Sequence, residues 1–160
     1  ARIPGTDLIG IDPNPARAAV AKRLGIPFSA ETPAGHDADR VIHASGTPDG
    51  AVTALSLAGM EATVLEASWH GTTPVPLPLG EAFHSRRLTL RSSQVGLVAP
   101  THRPRWDHAR RLDKALALLA DPALDVLIDG ESPFTSLPET MAALAEGSLA
   151  TLCHRIHYEA

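Results

Sequence analysis

A carboxylate, Asp12, closes the short apolar run Asp7–Asp12 and precedes Asn14 and Pro15. A carboxylate at the end of the second strand of a dinucleotide-binding fold accepts hydrogen bonds from the adenosine ribose hydroxyls, and its charge repels a 2′-phosphate. The alternative is that Asp12 only starts the turn before a helix. Asn14 weakens that alternative, because it can supply the helix cap itself. The position of Asp12 therefore favours, without requiring, a ribose-binding role.

Small residues follow three later apolar segments in the same way. If these segments are parallel strands, their carboxyl ends meet at one edge of a sheet, where ligands bind in α/β folds and where small residues let a ligand approach the backbone. Each group alone could equally be a turn, but their ordered recurrence predicts a binding edge. The residues that follow these segments are Ala44–Gly46, Ala67–Ser68 and Ser93–Gln94.

The closest grouping of potential metal ligands is Cys153, His154 and His157. The alternation of Leu152 and Ile156 favours a strand. On a strand Cys153 and His157 lie about 13 Å apart and His154 points to the other face. Ligands near 2 Å from one ion cannot be so arranged. The sequence therefore predicts no metal site.

The histidines in other segments are also better explained as structural residues than as catalytic or substrate-binding residues. His43 lies inside a predicted buried strand and is expected to be a hydrogen-bonded core group rather than a catalyst. Trp69 and His70 follow a strand end, where surface packing is favoured over substrate contact. No catalytic residue is predicted in this chain.

Strands and helices alternate at short intervals, which implies right-handed crossovers between parallel strands. We predict an α/β fold with an incomplete Rossmann-like, doubly wound parallel sheet over residues 1–124 and a C-terminal α+β tail over 125–160. The predicted strands are Asp7–Asp12, Arg40–Ala44, Ala62–Ala67, Arg87–Ser93 and Ala150–Tyr158, and the predicted helices are 15–24, 48–59, Arg105–Ala120 and Leu137–Glu146.

The composition is that of an ordinary globular domain: 44% of residues are hydrophobic, 20% are charged and the net charge is −4. It offers no basic surface for nucleic acid, and no apolar run is long enough to span a membrane. The single cysteine, Cys153, excludes an intramolecular disulfide and favours a cytoplasmic setting. Ala1–Gly5 is typical of the end of a helix, so we expect a fragment.

The sequence resembles the medium-chain, zinc-type alcohol dehydrogenase family in several segments. Leu8–Gly25 looks like that family's second strand and following helix, and Asp39–Gly46 is similar to the strand that ends at the nicotinamide. Glu66–Ser68 and Ser92–Gln94 match the next two strand ends. The resemblance implies that Asp12 and Arg17 lie at the adenosine ribose. It also implies that the nicotinamide half of the cofactor is lined by the residues at these strand ends, which are Ala44, Ser45, Gly46, Ala67, Ser68, Ser93 and Gln94.

The resemblance further implies a function for the intact protein. It would be an oxidoreductase that transfers a hydride between NAD and an alcohol or carbonyl substrate, with NADP a less favoured cofactor. The family's first strand, its glycine-rich turn and its N-terminal catalytic domain, which carries any zinc, do not match any part of this chain. We therefore expect the chain to hold cofactor but to be inactive alone, and its tail to pack on the absent domain.

Two other functions remain open. The chain could be a non-enzymatic nucleotide-binding or dimerisation module, since family members often form homodimers through an edge strand, here around Thr89–Ser93. It could also be another doubly wound protein, such as a methyltransferase, in which an acidic residue after the second strand also binds a ribose.

Overall fold

Strands and helices alternate along the chain in the computed structural model, which describes residues 3–158. The predicted α/β class is confirmed, and every described strand pair is parallel. The strands are β1 Gly10–Ile11, β2 Phe28–Ser29, β3 Ala38–His43, β4 Ala58–Glu66, β5 Thr89–Ser92, β6 Ile128–Pro133 and β7 Cys153–His157. The helices are α1 Arg17–Arg23, α2 Pro48–Leu57, α3 His108–Leu119 and α4 Leu137–Glu146.

Internal contacts divide the chain into two units, one formed by Thr32–His108 and the other by Ala1–Glu31 together with Ala109–Ala160. This division differs from the predicted boundary between residues 124 and 125, because residues 109–124 belong with the N-terminal segment. The assignment of 1–124 to a nucleotide-binding domain and of 125–160 to a tail stays a prediction.

The Thr32–His108 unit contains a three-stranded sheet in the order β3-β4-β5, with α2 as the crossover between β3 and β4. Thr47 begins α2 by accepting a hydrogen bond from the Gly50 backbone N–H at 3.1 Å, and Pro48 supplies the preset φ of a first turn. The apolar face of α2 then packs on β4. The resulting core consists of Ala54, Leu55, Ala58, Ala62, Val64 and Leu88.

The other unit contains two small parallel sheets, β1-β2 and β6-β7. Helix α1 connects the first pair and α4 the second. Helix α4 has the predicted bounds and ends at Gly147, whose φ of +73° is the left-handed conformation that favours glycine after a helix. The short 3-10 segment Pro122–Leu127 packs against α1.

Several predicted strands and helices are shorter in the structure than the sequence indicated. The predicted strand Asp7–Asp12 is reduced to Gly10–Ile11, and α1 begins at Arg17 rather than Pro15. The predicted incomplete Rossmann-like arrangement is confirmed, and within residues 3–158 it consists of short parallel sheets rather than one continuous sheet, since no described strand pairs with both β1 and β3. In the 3-2-1-4-5-6 strand order of a Rossmann fold, β1 and β3 of this chain correspond to strands 2 and 4. The strand that lies between those two is strand 1 of the fold, for which the sequence shows no counterpart. The predicted helix end Ala1–Gly5 lies partly outside the described residues.

Burial differs from the prediction where an apolar run has nothing packed on it. Ile42, in the centre of a strand predicted to be buried on both faces, is 64% exposed. On α3 the predicted apolar stripe Leu112, Leu116 and Leu119 is likewise exposed. Phe134 is exposed as well, which agrees with the expectation that the tail lacks its cover, and its ring stacks on Tyr158 with centroids 4.7 Å apart. None of the helices between residues 3 and 158 has both the length and the apolar character that crossing a membrane requires.

Asp129 joins β6 to the segment that leads into β7. Its carboxylate accepts hydrogen bonds from the Thr151 hydroxyl and from the backbone N–H groups of Leu152 and Cys153. These bonds hold the pKa of Asp129 below its usual value of 3.8, with the Thr151 hydroxyl as the largest cause. A lowered pKa means that the folded state favours the charged carboxylate, so its stabilising effect is complete above about pH 4 and is lost as the pH falls through the lowered pKa.

We therefore expect Asp129→Asn to lower the melting temperature at neutral pH, and the difference from wild type to shrink as the solution is acidified. Thermal unfolding followed by circular dichroism over a pH series measures both effects. Asp7→Asn removes an exposed carboxylate of the same unit and serves as the matched control. A wild-type-minus-variant difference that stays constant with pH would contradict the assigned role of the Asp129 carboxylate.

Candidate functional site

Three parallel strands of the Thr32–His108 unit end side by side. His43 of β3 pairs with Glu66 of β4, which pairs with Ser92 of β5. The pairing continues one residue further, because the Ala67 N–H donates to the His43 carbonyl and the Ser93 N–H donates to the Glu66 carbonyl, both at 2.8 Å. We call the residues at these three ends, 43–47, 66–70 and 92–94, the strand-end edge.

The loops of the strand-end edge are joined to each other by side chains. The Gly46 N–H donates to the Ser68 hydroxyl at 2.9 Å. Gly46 has a φ of +71°, and a Cβ placed on it would meet open space. Glycine is therefore required here by the backbone conformation rather than by crowding, and the space above it is free.

The structure thus brings together the predicted residues that follow β3, β4 and β5. They are Ala44, Ser45, Gly46, Ala67, Ser68, Ser93 and Gln94. Their placement on one edge follows from the parallel order of the strands, as predicted, whereas their role in binding a cofactor stays a prediction.

His43 is the buried centre of a hydrogen-bond network at this edge. It is 5% exposed, with Nδ1 2.7 Å from Glu66 Oε2 and Nε2 2.7 Å from Ser45 Oγ. The second carboxylate oxygen of Glu66 accepts a hydrogen bond from the Ser68 N–H at 2.8 Å. The prediction that His43 is a hydrogen-bonded core group is confirmed.

Glu66 is held in its charged form. Partial burial acts to raise its pKa, but the hydrogen bonds from His43 and from the N–H and hydroxyl of Ser68 together outweigh burial and leave the pKa below the usual value. The strand-end edge therefore carries a negative charge at neutral pH, placed between two imidazole rings.

The second ring belongs to His70, which stacks on His43 with centroids 5.9 Å apart and an angle of 18° between the planes. His70 Nε2 lies 3.7 Å from Glu66 Oε2, which is too long for a hydrogen bond. This nitrogen is buried and has no hydrogen-bond partner among the described residues.

Sequence reasoning missed the grouping of His43, Glu66 and His70. One feature of the sequence pointed to this grouping, because a histidine and a glutamate end two neighbouring parallel strands. The register that pairs them could not be predicted from either segment alone. The prediction that Cys153, His154 and His157 lie on a strand is confirmed, because all three belong to β7 and their burial alternates along it.

Asp12 and Arg17 lie in the other unit. Asp12 accepts a hydrogen bond from the Asn14 N–H at 2.8 Å, so it does form the turn before α1. The predicted cap Asn14 accepts from the Ala16 N–H instead of starting the helix, because α1 begins two residues later than predicted. Both Asp12 and Arg17 line a cavity of about 210 Å³ between β1, β2, α1 and Leu127.

Comparison with solved structures identifies the fold. An alcohol dehydrogenase from Thermotoga maritima matches 96% of this chain with a TM-score of 0.72 at 15% identity, over 44% of its own length. An alcohol dehydrogenase from Thermus sp. ATN1 matches 96% of the chain with a TM-score of 0.68 at 20% identity, also over 44% of its length. A Bacillus subtilis protein with NAD bound matches 98% with a TM-score of 0.66 at 14% identity, over 47% of its length.

The chain therefore has the fold of part of the medium-chain, zinc-type alcohol dehydrogenases, and the resemblance stated from the sequence is confirmed at the level of the fold. It spans less than half the length of each of these three proteins. No protein-family model matches the sequence, and no curated protein matches it.

Proposed function

We propose that this chain binds a nicotinamide dinucleotide, with the nicotinamide half at the strand-end edge. The observation that carries the proposal is the meeting of three consecutive parallel-strand ends, each followed by small residues, at the edge where α/β folds bind ligands. The open space above Gly46 fits the approach of a ribose or nicotinamide ring to the backbone. Two solved structures with this fold, an alcohol dehydrogenase and a Bacillus subtilis protein, contain NADH and NAD respectively, which supports the choice of ligand.

We propose NAD rather than NADP as the preferred cofactor. Asp12 follows β1 directly, and a carboxylate at that place accepts hydrogen bonds from ribose hydroxyls and repels a 2′-phosphate. Arg17 begins α1 beside the same cavity.

For the intact protein we propose an oxidoreductase that acts on an alcohol or carbonyl substrate. The nicotinamide ring, when bound, accepts or gives the hydride. The residues described here bind and orient the cofactor, and any catalytic zinc that polarises the substrate would be held by a domain that this chain does not match. Alone, the chain is expected to bind nucleotide and to have no dehydrogenase activity.

The two cofactor halves can be tested separately by titration with nicotinamide mononucleotide and with AMP, followed by backbone amide chemical shifts. We expect nicotinamide mononucleotide to shift the amides of Gly46, Ser68 and Ser93, and AMP to shift that of Asp12. NADH is expected to bind more tightly than NADPH, and Asp12→Ala to abolish that preference. Asp7→Ala, which removes a nearby exposed carboxylate, should leave the preference unchanged.

A second candidate, a non-enzymatic dimerisation module, is favoured by one observation. Strand β5 is an edge strand that pairs only with β4 within the described residues, and all four of its residues are exposed. Such an edge is free to pair with a second copy. If neither nucleotide shifts any amide and the chain sediments as a dimer, this alternative replaces the cofactor-binding proposal.

A further inference from the structure

Three potential ligand atoms converge at the strand-end edge without a binding role in the proposed nucleotide site. One ligand atom from each of His43, Glu66 and His70 lies within 4.8 Å of the other two, and His43 Nδ1 and His70 Nε2 lie 2.7 Å and 3.7 Å from Glu66 Oε2. Their side chains are 4%, 19% and 15% exposed, so they form a largely buried group of two imidazole nitrogens and one carboxylate oxygen.

Two of the three side chains are already oriented by other groups. Ser45 Oγ contacts His43 Nε2, the ring nitrogen away from the cluster, and the Ser68 N–H donates to Glu66 Oε1, the oxygen away from the cluster. Metal-bound histidines and carboxylates typically have such outer hydrogen bonds, which fix the ring orientation and the tautomer. Ser45 can accept from His43 Nε2 because its own proton can go to Thr47 Oγ1, 3.0 Å away.

The buried His70 Nε2 is the observation that the hydrogen-bond network does not explain. Buried polar atoms without a partner are rare, and an unseen ion or water is one physical explanation for such an atom. This atom faces the carboxylate of Glu66 at 3.7 Å, a separation too long for a direct bond but of the size that two ligands of one ion have. An ion between them would satisfy both atoms.

We propose that His43, Glu66 and His70 form a binding site for a divalent transition-metal ion of the zinc class. Two imidazole nitrogens and one carboxylate oxygen are a donor set that zinc accepts, and three protein ligands leave a fourth position for water or another ligand. The proposal does not rest on nucleotide binding, since it uses three other side chains and is measured without nucleotide.

The geometry needs only side-chain adjustment. Ligand atoms about 2.0–2.2 Å from a tetrahedral ion lie roughly 3.4 Å apart. The contact between His43 Nδ1 and Glu66 Oε2, 2.7 Å, must open by roughly 0.7 Å, and the 3.7 Å separation between Glu66 Oε2 and His70 Nε2 must shorten by roughly 0.3 Å. The proton of His43 then resides on Nε2 and is donated to Ser45, which leaves Nδ1 free for the ion.

The site is tested by titrating the full chain with Co²⁺, followed by visible d–d absorption, and with Zn²⁺, followed by calorimetry, both in a non-chelating buffer near neutral pH. We expect one ion per chain and cobalt absorption of tetrahedral intensity that Zn²⁺ abolishes. His70→Ala and Glu66→Gln should each weaken zinc binding by ~100-fold or more, since even the loss of an outer hydrogen bond costs 10–100-fold. Ser45→Ala should fall in that smaller range.

The two main variants are chosen so that folding is preserved. His70 makes no hydrogen bond through Nε2, and glutamine at position 66 still accepts from the Ser68 N–H. His84→Ala removes an exposed histidine of the same unit and should bind zinc as wild type does. No tetrahedral cobalt absorption in wild type, or unchanged binding in both His70→Ala and Glu66→Gln, would overturn the proposal.

Discussion

Leu55→Ala is expected to lower the free energy of unfolding of the Thr32–His108 unit by about 3 kcal/mol, within the 2–5 kcal/mol range of such core truncations. Leu55 lies on α2 and is 2% exposed, in contact with the cluster that includes Val64 and Leu88. Removing its three terminal carbons loses their burial and leaves a cavity that rigid neighbours do not fill. Urea denaturation followed by circular dichroism measures the loss.

The loss should be large relative to the total stability of this unit. Among the described residues, Leu55 and Val64 are the largest fully buried side chains, so few others can compensate. Leu116→Ala is the matched control, because Leu116 also lies on a helix but is 56% exposed, and surface substitutions usually change stability by less than ~0.5 kcal/mol. Equal losses in the two variants would mean that α2 does not pack on β4 as described.

The elements that sequence reasoning predicted well are those with local start and stop signals. Helix α4 has the predicted bounds because Pro138 fits its first turn and Gly147 adopts the left-handed conformation after its last. Helix α2 similarly begins at the Thr47–Pro48 signal. These signals act within a few residues, so they can be read from the chain without knowledge of its partners.

Strand lengths and burial could not be predicted in the same way, because they depend on segments distant in sequence. Leu8 and Ile9 were assigned to a strand for their apolar character, yet only Gly10 and Ile11 find a partner in β2. Ile42 has the same apolar character as Val64, but it is 64% exposed whereas Val64 is buried against α2. An apolar run shows that a strand can be buried, and only the neighbouring elements decide whether it is.

The candidate site, like the strands, could be predicted only in part from the sequence. Parallel strand order was enough to place Ser45, Gly46 and Ser68 on one edge. It was not enough to predict that His43 and Glu66 pair directly, because a shift of register by one residue would turn one of them to the other face. His43 was correctly predicted to be a bonded core group, but its partners depended on that register.

Gly50→Ala on α2 should disturb this network. A Cβ at position 50 would overlap Ser45 Oγ and lie 2.7 Å from His43 Nε2 and 3.0 Å from Thr47 Oγ1. Either the Ser45 hydroxyl must leave His43, or the first turn of α2 must move away from the strand-end edge. Both responses break hydrogen bonds that hold the site.

Two opposing terms determine the sign of the stability change. Alanine gains up to ~1 kcal/mol over glycine from helix propensity. Overpacking costs ~1–3 kcal/mol, and each lost hydrogen bond adds about 1 kcal/mol. The unfavourable terms are larger, so we expect Gly50→Ala to lower the free energy of unfolding by about 1–3 kcal/mol and to shift the ring resonances of His43.

Gly80→Ala separates crowding from the loss of glycine itself. A Cβ at Gly80 meets nothing within 4 Å, so this variant should be neutral or stabilised by up to ~1 kcal/mol through the unfolded chain. Denaturation curves for both variants, with imidazole chemical shifts for His43, make the comparison. If Gly50→Ala gains stability as Gly80→Ala does and leaves His43 unshifted, the close approach of α2 to Ser45 and His43 is wrong, and with it the geometry on which the metal site depends.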